Sequence, residues 1–135
     1  MQPKEHFTLR LTSDTMRRLV RRSEQFGEAK TVLAGQFLQE GLRMAEHPGI
    51  VFRDGPAGRR PGIAGLGLDV WEIIETLQNE DRDARAVAAY LQVSQSVVSI
   101  ALDYYLDYQD EIDRWIERNR SISNEAELAW RRRRS

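Results

Sequence analysis

The 135-residue chain contains no cysteine and only two histidines, His6 and His47. Without thiols it cannot form disulfides, thiolate metal sites or thiol nucleophiles, which fits a reducing compartment. No apolar run approaches the ~18 residues that a membrane span needs, and the N-terminus lacks the apolar core of a signal peptide. We therefore expect a soluble, cytoplasmic protein that does not enter a membrane.

The sequence features of an enzyme are also scarce. Neither histidine has a partner at metal-ligand spacing, and the carboxylates follow amphipathic patterns instead of forming a converging pair. The glycines of residues 58–67 do not lie between a strand and a helix at the spacing of a nucleotide-binding loop. We predict that the chain is not an enzyme and that it has no cofactor and no metal site.

Charge is unevenly distributed along the chain, although the formal net charge is only −1. Residues 1–46 carry 8 basic and 6 acidic side chains, whereas residues 67–120 carry 5 basic and 12 acidic ones, a net charge of −7. Because cations neutralise phosphates and an acidic surface is repelled by a duplex, nucleic acid should meet the first part of the chain. The acidic part should face water or a basic partner.

Residues 7–12 alternate apolar and polar side chains with the period of a β-strand. The apolar face carries Phe7, Leu9 and Leu11, and the opposite face carries His6, Thr8 and Arg10. No second strand follows nearby in the sequence. A lone strand must find its hydrogen-bond partners in another molecule, so the pattern predicts a homodimer.

Two helices are predicted to follow this strand. Ser13 stands at the position of an N-cap, and apolar residues then recur at helical spacing until Phe26-Gly27 ends the segment. A second amphipathic pattern runs from about Lys30 to Glu46. The first 46 residues are therefore predicted to form one domain, a strand followed by two helices.

This pattern resembles the ribbon-helix-helix (Arc and MetJ type) family of repressors over residues 7–46. In that family two strands pair antiparallel across the dimer axis and enter the major groove of DNA. The resemblance implies that the outward side chains His6, Thr8 and Arg10 contact bases. It also implies that the N-terminus of the second helix, with Lys30 and Thr31, clamps a phosphate. A solvated strand face is the alternative for these polar side chains.

Residues 47–67 are rich in glycine and proline and contain two short apolar stretches, Ile50–Phe52 and Ile63-Ala64, which predict a β-hairpin. Arg59 and Arg60 are expected at its tip or just after it, in contact with solvent or with a DNA backbone. Residues 68–120 then predict an acidic helical domain. Asp69 and Glu72 have the spacing of a capping box at the start of its first helix.

The remaining helical patterns predict a helix over residues 84–91, a turn, and a longer helix capped by Ser94, as in a helix-turn-helix. A last helix is expected to open at Asp107 or Tyr108. The exposed early positions of the capped helix, Gln95, Ser96 and Ser99, could read bases, but the surrounding acidic charge opposes it. We favour dimerisation or toxin binding for this domain. The predicted class is mainly α with a short β-ribbon.

The stretch from His47 to Tyr105 resembles the domain family of unknown function 433 (DUF433). The resemblance rests on residues 58–65 (Gly-Arg-Arg-Pro-Gly-Ile-Ala-Gly), 70–73 (Val-Trp-Glu-Ile) and 101–105 (Ala-Leu-Asp-Tyr-Tyr). Members of that family resemble VapB-type antitoxins paired with PIN-like toxins, which are metal-dependent ribonucleases. The resemblance implies a cognate PIN-like toxin as a partner of this chain.

The C-terminal tail, residues 121–135, has a second candidate helix start at Asn124 and ends in four consecutive arginines. Antitoxins of this class insert C-terminal arginine into the acidic metal pocket of the toxin, with an aromatic anchor beside it. The residues expected in that role are Trp130, Arg131, Arg132, Arg133 and Arg134. A solvated, mobile end is the alternative.

Together these patterns predict a type II antitoxin that is also a dimeric, DNA-binding autorepressor. Its partners would be operator DNA, the cognate toxin, and further copies of itself, as a homodimer or a higher homo-oligomer. The main alternative is a freestanding ribbon-helix-helix regulator whose second domain only oligomerises. An adaptor without a DNA role is a third hypothesis.

Overall fold

The computed structural model describes residues 3–81 and 83–134, so Met1, Gln2, Arg82 and Ser135 lie outside the described residues. The described chain is mainly helical with one short antiparallel sheet, which confirms the predicted class at this level. Its elements are α1 (Ser13–Phe26), α2 (Lys30–Glu46), β1 (Ile50–Arg53), β2 (Arg60–Ile63), α3 (Val70–Asn79), α4 (Ala84–Leu91), α5 (Gln95–Asp107) and α6 (Gln109–Arg134). The chain divides into two compact units, Met1–Leu42 and Arg43–Ser135.

Helix α1 of the first unit is capped at both ends by the residues around it. Thr12, and not the predicted Ser13, is the N-cap: its backbone is extended and its hydroxyl accepts a hydrogen bond from the Thr15 N–H at 3.2 Å. Ser13 already has helical geometry, so it is the first helical residue. Gly27 ends the helix in the left-handed conformation (φ 65°), where a side chain would be strained.

Residues 3–12, which include the predicted strand, have no secondary structure in the described chain. No backbone–backbone hydrogen bond joins residues 3–11 to any other described residue. The sequence offers this segment no second strand nearby, so a ladder cannot form within the unit. The N–H and C=O groups of these mostly exposed residues, which we call the extended segment after the strand pattern of their sequence, therefore remain available.

The second unit begins with the predicted hairpin. Ile50 pairs with Ile63 and Arg53 with Arg60, so β2 lies three residues earlier than the predicted Ile63-Ala64 strand. This register buries both isoleucines in the core, and the Ala64 N–H closes the ladder by donating to Gly49 O at 2.8 Å. Arg60 is therefore a strand residue and does not lie at the hairpin tip.

Helices α3 to α6 pack on the hairpin around a single apolar core. The Glu72 part of the predicted capping box is present, because the Asp69 N–H donates to Glu72 Oε1 at 3.0 Å. The completely buried side chains lie on these four helices and, in the case of Pro61, on β2. They include Val70, Ile73, Ile74, Val87, Val98, Tyr104 and Ile112.

Helices α4 and α5 meet at 117° across a short turn, the geometry of a helix-turn-helix. Asp83 caps α4 by accepting hydrogen bonds from the N–H groups of Arg85 and Ala86, and Gln92 turns the chain in the left-handed conformation (φ 58°). Within the described residues no single helix has the length and apolarity of a membrane span. The bent pair of α4 and α5 has the length and apolar composition of a span only when the two helices are taken together.

Helix α6 is one continuous helix of 26 residues. The predicted second helix start at Asn124 is wrong, because that residue lies inside the helix. The segment from Gln109 to Arg134 contains neither glycine nor proline, so nothing in it interrupts the backbone hydrogen bonds. The candidate N-cap at Asn124 is a polar residue on the helix surface.

A buried polar group links the end of α2 to α5 and α6 within the second unit. Arg43 donates to Tyr104 Oη at 2.9 Å and to Glu111 Oε2 at 2.6 Å. Burial alone would lower the pKa of Arg43, but the hydrogen bond and charge of Glu111 raise it above its ordinary value. Burial, aided by the Glu111 charge, raises the pKa of Tyr104 far above its ordinary value, so its hydroxyl stays protonated.

Candidate nucleic-acid interface

The first unit leaves most of its apolar side chains exposed. Leu33 is its one buried apolar residue among those described, and α1 contributes none. Its exposed large apolar side chains are Phe7 (74%), Leu9 (62%), Met16, Phe26, Val32, Leu38 and Leu42. A unit of about 40 residues with so small a core is close to the lower size limit for independent folding, and its exposed apolar side chains form a candidate contact surface.

An open apolar groove of about 310 Å³ lies within this unit, between the extended segment and the two helices. Its lining residues are Leu9, Leu11, Thr15, Arg18, Leu19, Arg22, Ala34 and Phe37. Two of the three residues on the predicted apolar face of the strand, Leu9 and Leu11, are in this list. The extended segment therefore presents its apolar face to an unfilled groove.

The three predicted base-contacting residues lie in that same exposed segment. His6, Thr8 and Arg10 are all exposed, and His6 Nε2 lies 3.5 Å from Thr8 Oγ1. Arg10 forms no ion pair with any residue that the structure describes, whereas Arg17 and Arg18 both pair with Asp14 at 3.2 Å. Arg10 is thus a cation whose five donors are available to an external acceptor.

The predicted phosphate clamp lies at the start of α2. Lys30 and Thr31 are its first two residues and both are exposed, and the first turn carries no acidic side chain. The first N–H groups of an α-helix have no acceptor within the helix, and the helix dipole favours an anion there. No hydrogen bond in the described chain joins this helix end to His6, Thr8 or Arg10.

The predicted toxin-binding residues occupy the end of α6 in the second unit. Trp130 is 54% exposed, and the Arg134 guanidinium lies over its ring at 4.6 Å. Arg131 pairs with Glu127 at 2.7 Å, one turn earlier. These residues form the last turn of a helix, so the four guanidinium groups surround the helix axis and do not share one side.

Sequence reasoning missed a buried carboxylate that organises the second unit. Asp69 is 5% exposed and accepts from Arg60 Nε at 2.5 Å and from Trp71 Nε1 at 3.2 Å. Arg53, the strand partner of Arg60, approaches the same carboxylate at 3.5 Å and donates to the carbonyl oxygens of Ile63, Leu66 and Leu68. The signal in the sequence for this cluster was a pair of arginines, Arg53 and Arg60, one at each end of the hairpin loop.

Arg60 is predicted from the sequence to contact solvent or a DNA backbone, but the structure places it in this cluster. Its guanidinium is occupied by Asp69 and by the backbone oxygen of Asp54. The neighbouring Arg59 pairs with Asp54 at 3.1 Å. A Cβ at Gly62 would lie 2.4 Å from the Arg53 guanidinium, so a larger residue there would displace that side chain. Arg59 and Arg60 therefore stabilise the hairpin loop through these contacts.

The helix-turn-helix of the second unit exposes Gln95, Ser96 and Ser99 at the start of α5. It also exposes acidic groups further along, among them Asp103 and Asp107, and the latter pairs with His47 Nε2 at 2.8 Å. A phosphate backbone near these carboxylates would be repelled, which favours the first unit as the nucleic-acid surface.

Among the residues that the structure describes, no group of three or more histidines, aspartates or glutamates is arranged to hold a metal ion. No family model, curated protein or solved structure matches the chain, so the resemblances to ribbon-helix-helix repressors and to DUF433 stay predictions.

Proposed function

We propose that this chain is a cytoplasmic, dimeric DNA-binding repressor of the ribbon-helix-helix type. The observation that carries the proposal is the extended segment of residues 3–12, whose backbone hydrogen bonds are unused and whose Leu9 and Leu11 border an unfilled apolar groove. A second copy of the same segment supplies both missing parts, since antiparallel pairing satisfies the backbone and brings Leu9 and Leu11 of the two copies together at the grooves.

In this dimer the polar face of the paired segments points away from the grooves and into the major groove of DNA. Arg10 has the donors for a bidentate contact to guanine, and Thr8 can contact a base edge or a thymine methyl group. Lys30 and Thr31 at the start of α2 hold a backbone phosphate. The net positive charge of residues 1–46 agrees with this surface, and the net charge of −7 in residues 67–120 opposes DNA binding there.

Replacing Arg10 by alanine is expected to weaken operator binding by about 30-fold or more, since each of the two bidentate base contacts in the dimer is worth about 1–3 kcal/mol. Arg10→Lys, which keeps the charge but loses the planar pair of donors, should lose sequence preference more than overall affinity. The measurement is a gel shift with upstream DNA and with a scrambled duplex, titrated with salt.

Arg85→Ala is the matched control, because Arg85 is an exposed arginine of the second unit and its removal changes the net charge equally. It should leave binding within about twofold of the parent chain. Equal affinities for Arg10→Ala and the parent chain would remove the extended segment from DNA recognition.

We further propose that the chain is the antitoxin of a PIN-like ribonuclease, with the end of α6 as the contact. The support is chemical: Trp130 is an exposed aromatic anchor, and Arg131 to Arg134 match a pocket of metal-binding carboxylates. Residues 67–120 of the second unit carry a net charge of −7, so they attract the four terminal arginines and do not repel them.

Co-expression with a PIN-like nuclease from the same genome should give a co-purifying complex, and removal of residues 130–134 should release the nuclease and restore its activity. Removal of these residues should not affect the gel shift with operator DNA, which separates the two activities. A chain that binds the operator but never retains such a nuclease is the freestanding regulator instead.

A further inference from the structure

The second half of α6 extends beyond the folded core of its unit. Arg120, whose Nε lies 3.8 Å from Glu75 Oε2, is followed by exposed side chains at every position from Ser121 to Arg134. At 1.5 Å per residue these positions add about 21 Å of helix. Two of its large apolar side chains, Ile122 (53%) and Leu128 (52%), are as exposed as Trp130.

A cleft of about 300 Å³ lies along the first half of the same helix. The side chains of Trp71, Trp115, Asn119 and Ile122 line it together with Arg60, Asp69, Glu72 and Arg118. A second cleft of about 240 Å³ shares Trp115 and Arg118 and is also lined by Glu111. The first half of α6 therefore borders two clefts that contain aromatic rings, whereas every described side chain of its second half is exposed.

We infer that a second copy of this chain fills these clefts, with the two α6 helices packed antiparallel about Ile122. Trp115, Ile122 and Ala129 are spaced by seven residues and so share one helix face. Antiparallel pairing centred on Ile122 places Trp115 of each copy opposite Ala129 of the other. The large ring thus meets a small residue, and Trp130 of the second copy reaches the cleft beside Trp71.

Charge complementarity supports the same register. Arg118 of one copy lies beside Glu125 of the other, whereas within one chain these residues are seven positions, about 10.5 Å, apart along the helix. The arginines at the end of one helix lie opposite the first turn of the other, which carries the exposed Asp110. Contact over residues 111–133 would cover about 34 Å of helix in each copy.

This inference does not depend on DNA binding or on a toxin. It does use Trp130 and the terminal arginines, the same residues that the proposed toxin contact requires. Self-association through α6 and toxin binding would therefore exclude each other at this helix.

The test uses the full chain with Leu9→Asp, which removes the contact proposed for the first unit. Sedimentation equilibrium should still find a dimer, and adding Ile122→Asp should raise its dissociation constant by about 100-fold or more, because two carboxylates would face each other at the axis. Asn124→Asp is the matched control: Asn124 is exposed and its replacement also adds a carboxylate, but it lies about 160° around α6 from Ile122 and should leave the dimer intact. A monomer before Ile122 is changed, or equal effects of both substitutions, would overturn the inference.

A second measurement does not rely on the Leu9→Asp chain folding. Because the protein has no cysteine, Ile122→Cys in the otherwise unchanged chain introduces a single thiol at the proposed axis. Oxidation should give a disulfide-linked dimer with Ile122→Cys and little with Leu128→Cys. Equal yields from the two variants would contradict the antiparallel register.

Discussion

Leu9→Asp is expected to abolish both dimer formation through the first unit and operator binding. Leu9 is 62% exposed in the single chain, so a polar side chain there costs that chain little. In the paired state the same position faces the groove lined by Leu11, Leu19 and Phe37, and two unpaired carboxylates per dimer would be buried. We expect a loss of at least about 4 kcal/mol, or a thousandfold in dimer affinity.

The control is Leu128→Asp, another exposed leucine replaced by the same acid, which should bind the operator as the parent chain does. The measurements are analytical ultracentrifugation over a concentration series and a gel shift. To separate the two proposed contacts between copies, they should also be made in the Ile122→Asp background. If the Leu9→Asp chain bound operator DNA with unchanged affinity, the groove could not be the dimer contact.

Asp69→Ala is expected to destabilise the second unit by about 3 kcal/mol. The buried carboxylate accepts from Arg60 and Trp71 and lies 3.5 Å from Arg53. Its removal leaves two partly buried guanidinium groups without their counter-ion, and breaking a buried pair from one side costs about 3–5 kcal/mol. The side chains of Arg53 and Arg60 are 27% and 30% exposed, so water screens their charges and the loss of stability falls at the lower end of this range.

Asp54→Ala provides the comparison, because Asp54 also pairs with an arginine of the hairpin but its side chain is 49% exposed. Its loss should cost less than about 1 kcal/mol. Urea unfolding followed by tryptophan fluorescence measures both, since Trp71 and Trp115 lie in the second unit. Equal midpoints for the two variants would show that the Asp69 cluster does not stabilise the fold.

Local signals in the sequence predicted most helix ends correctly. Phe26-Gly27, Asp69 with Glu72, and Ser94 mark ends or starts that depend on a few neighbouring residues, so a short pattern is sufficient. The break predicted at Asn124 shows the limit of such signals: a capping residue matters only where the helix is interrupted, and nothing interrupts α6.

Contacts between distant residues could not be predicted in this way. The Asp69 cluster joins the two strands and α3 through side chains whose pairing depends on the hairpin register, and the sequence placed the start of the second strand three residues too late. The alternation of residues 7–12 predicted a strand, and the structure shows no strand there: the apolar Phe7 and Leu9 are as exposed as the polar residues between them. Local alternation cannot create a strand without a second strand to accept its hydrogen bonds.

The most direct test of the central claim is a set of electron–electron distances between two copies of the chain. Single nitroxide labels at positions 6, 8 and 10, introduced through cysteine, report the arrangement of the extended segments in the dimer without DNA, so the loss of a base-contacting side chain does not affect the measurement. Antiparallel pairing predicts that, on either side of the dimer axis, the separation of the two labels along the strand direction changes by about 7 Å for each residue moved, twice the rise of a strand. Distances that stay constant along the segment, or the absence of any short distance, would contradict the account.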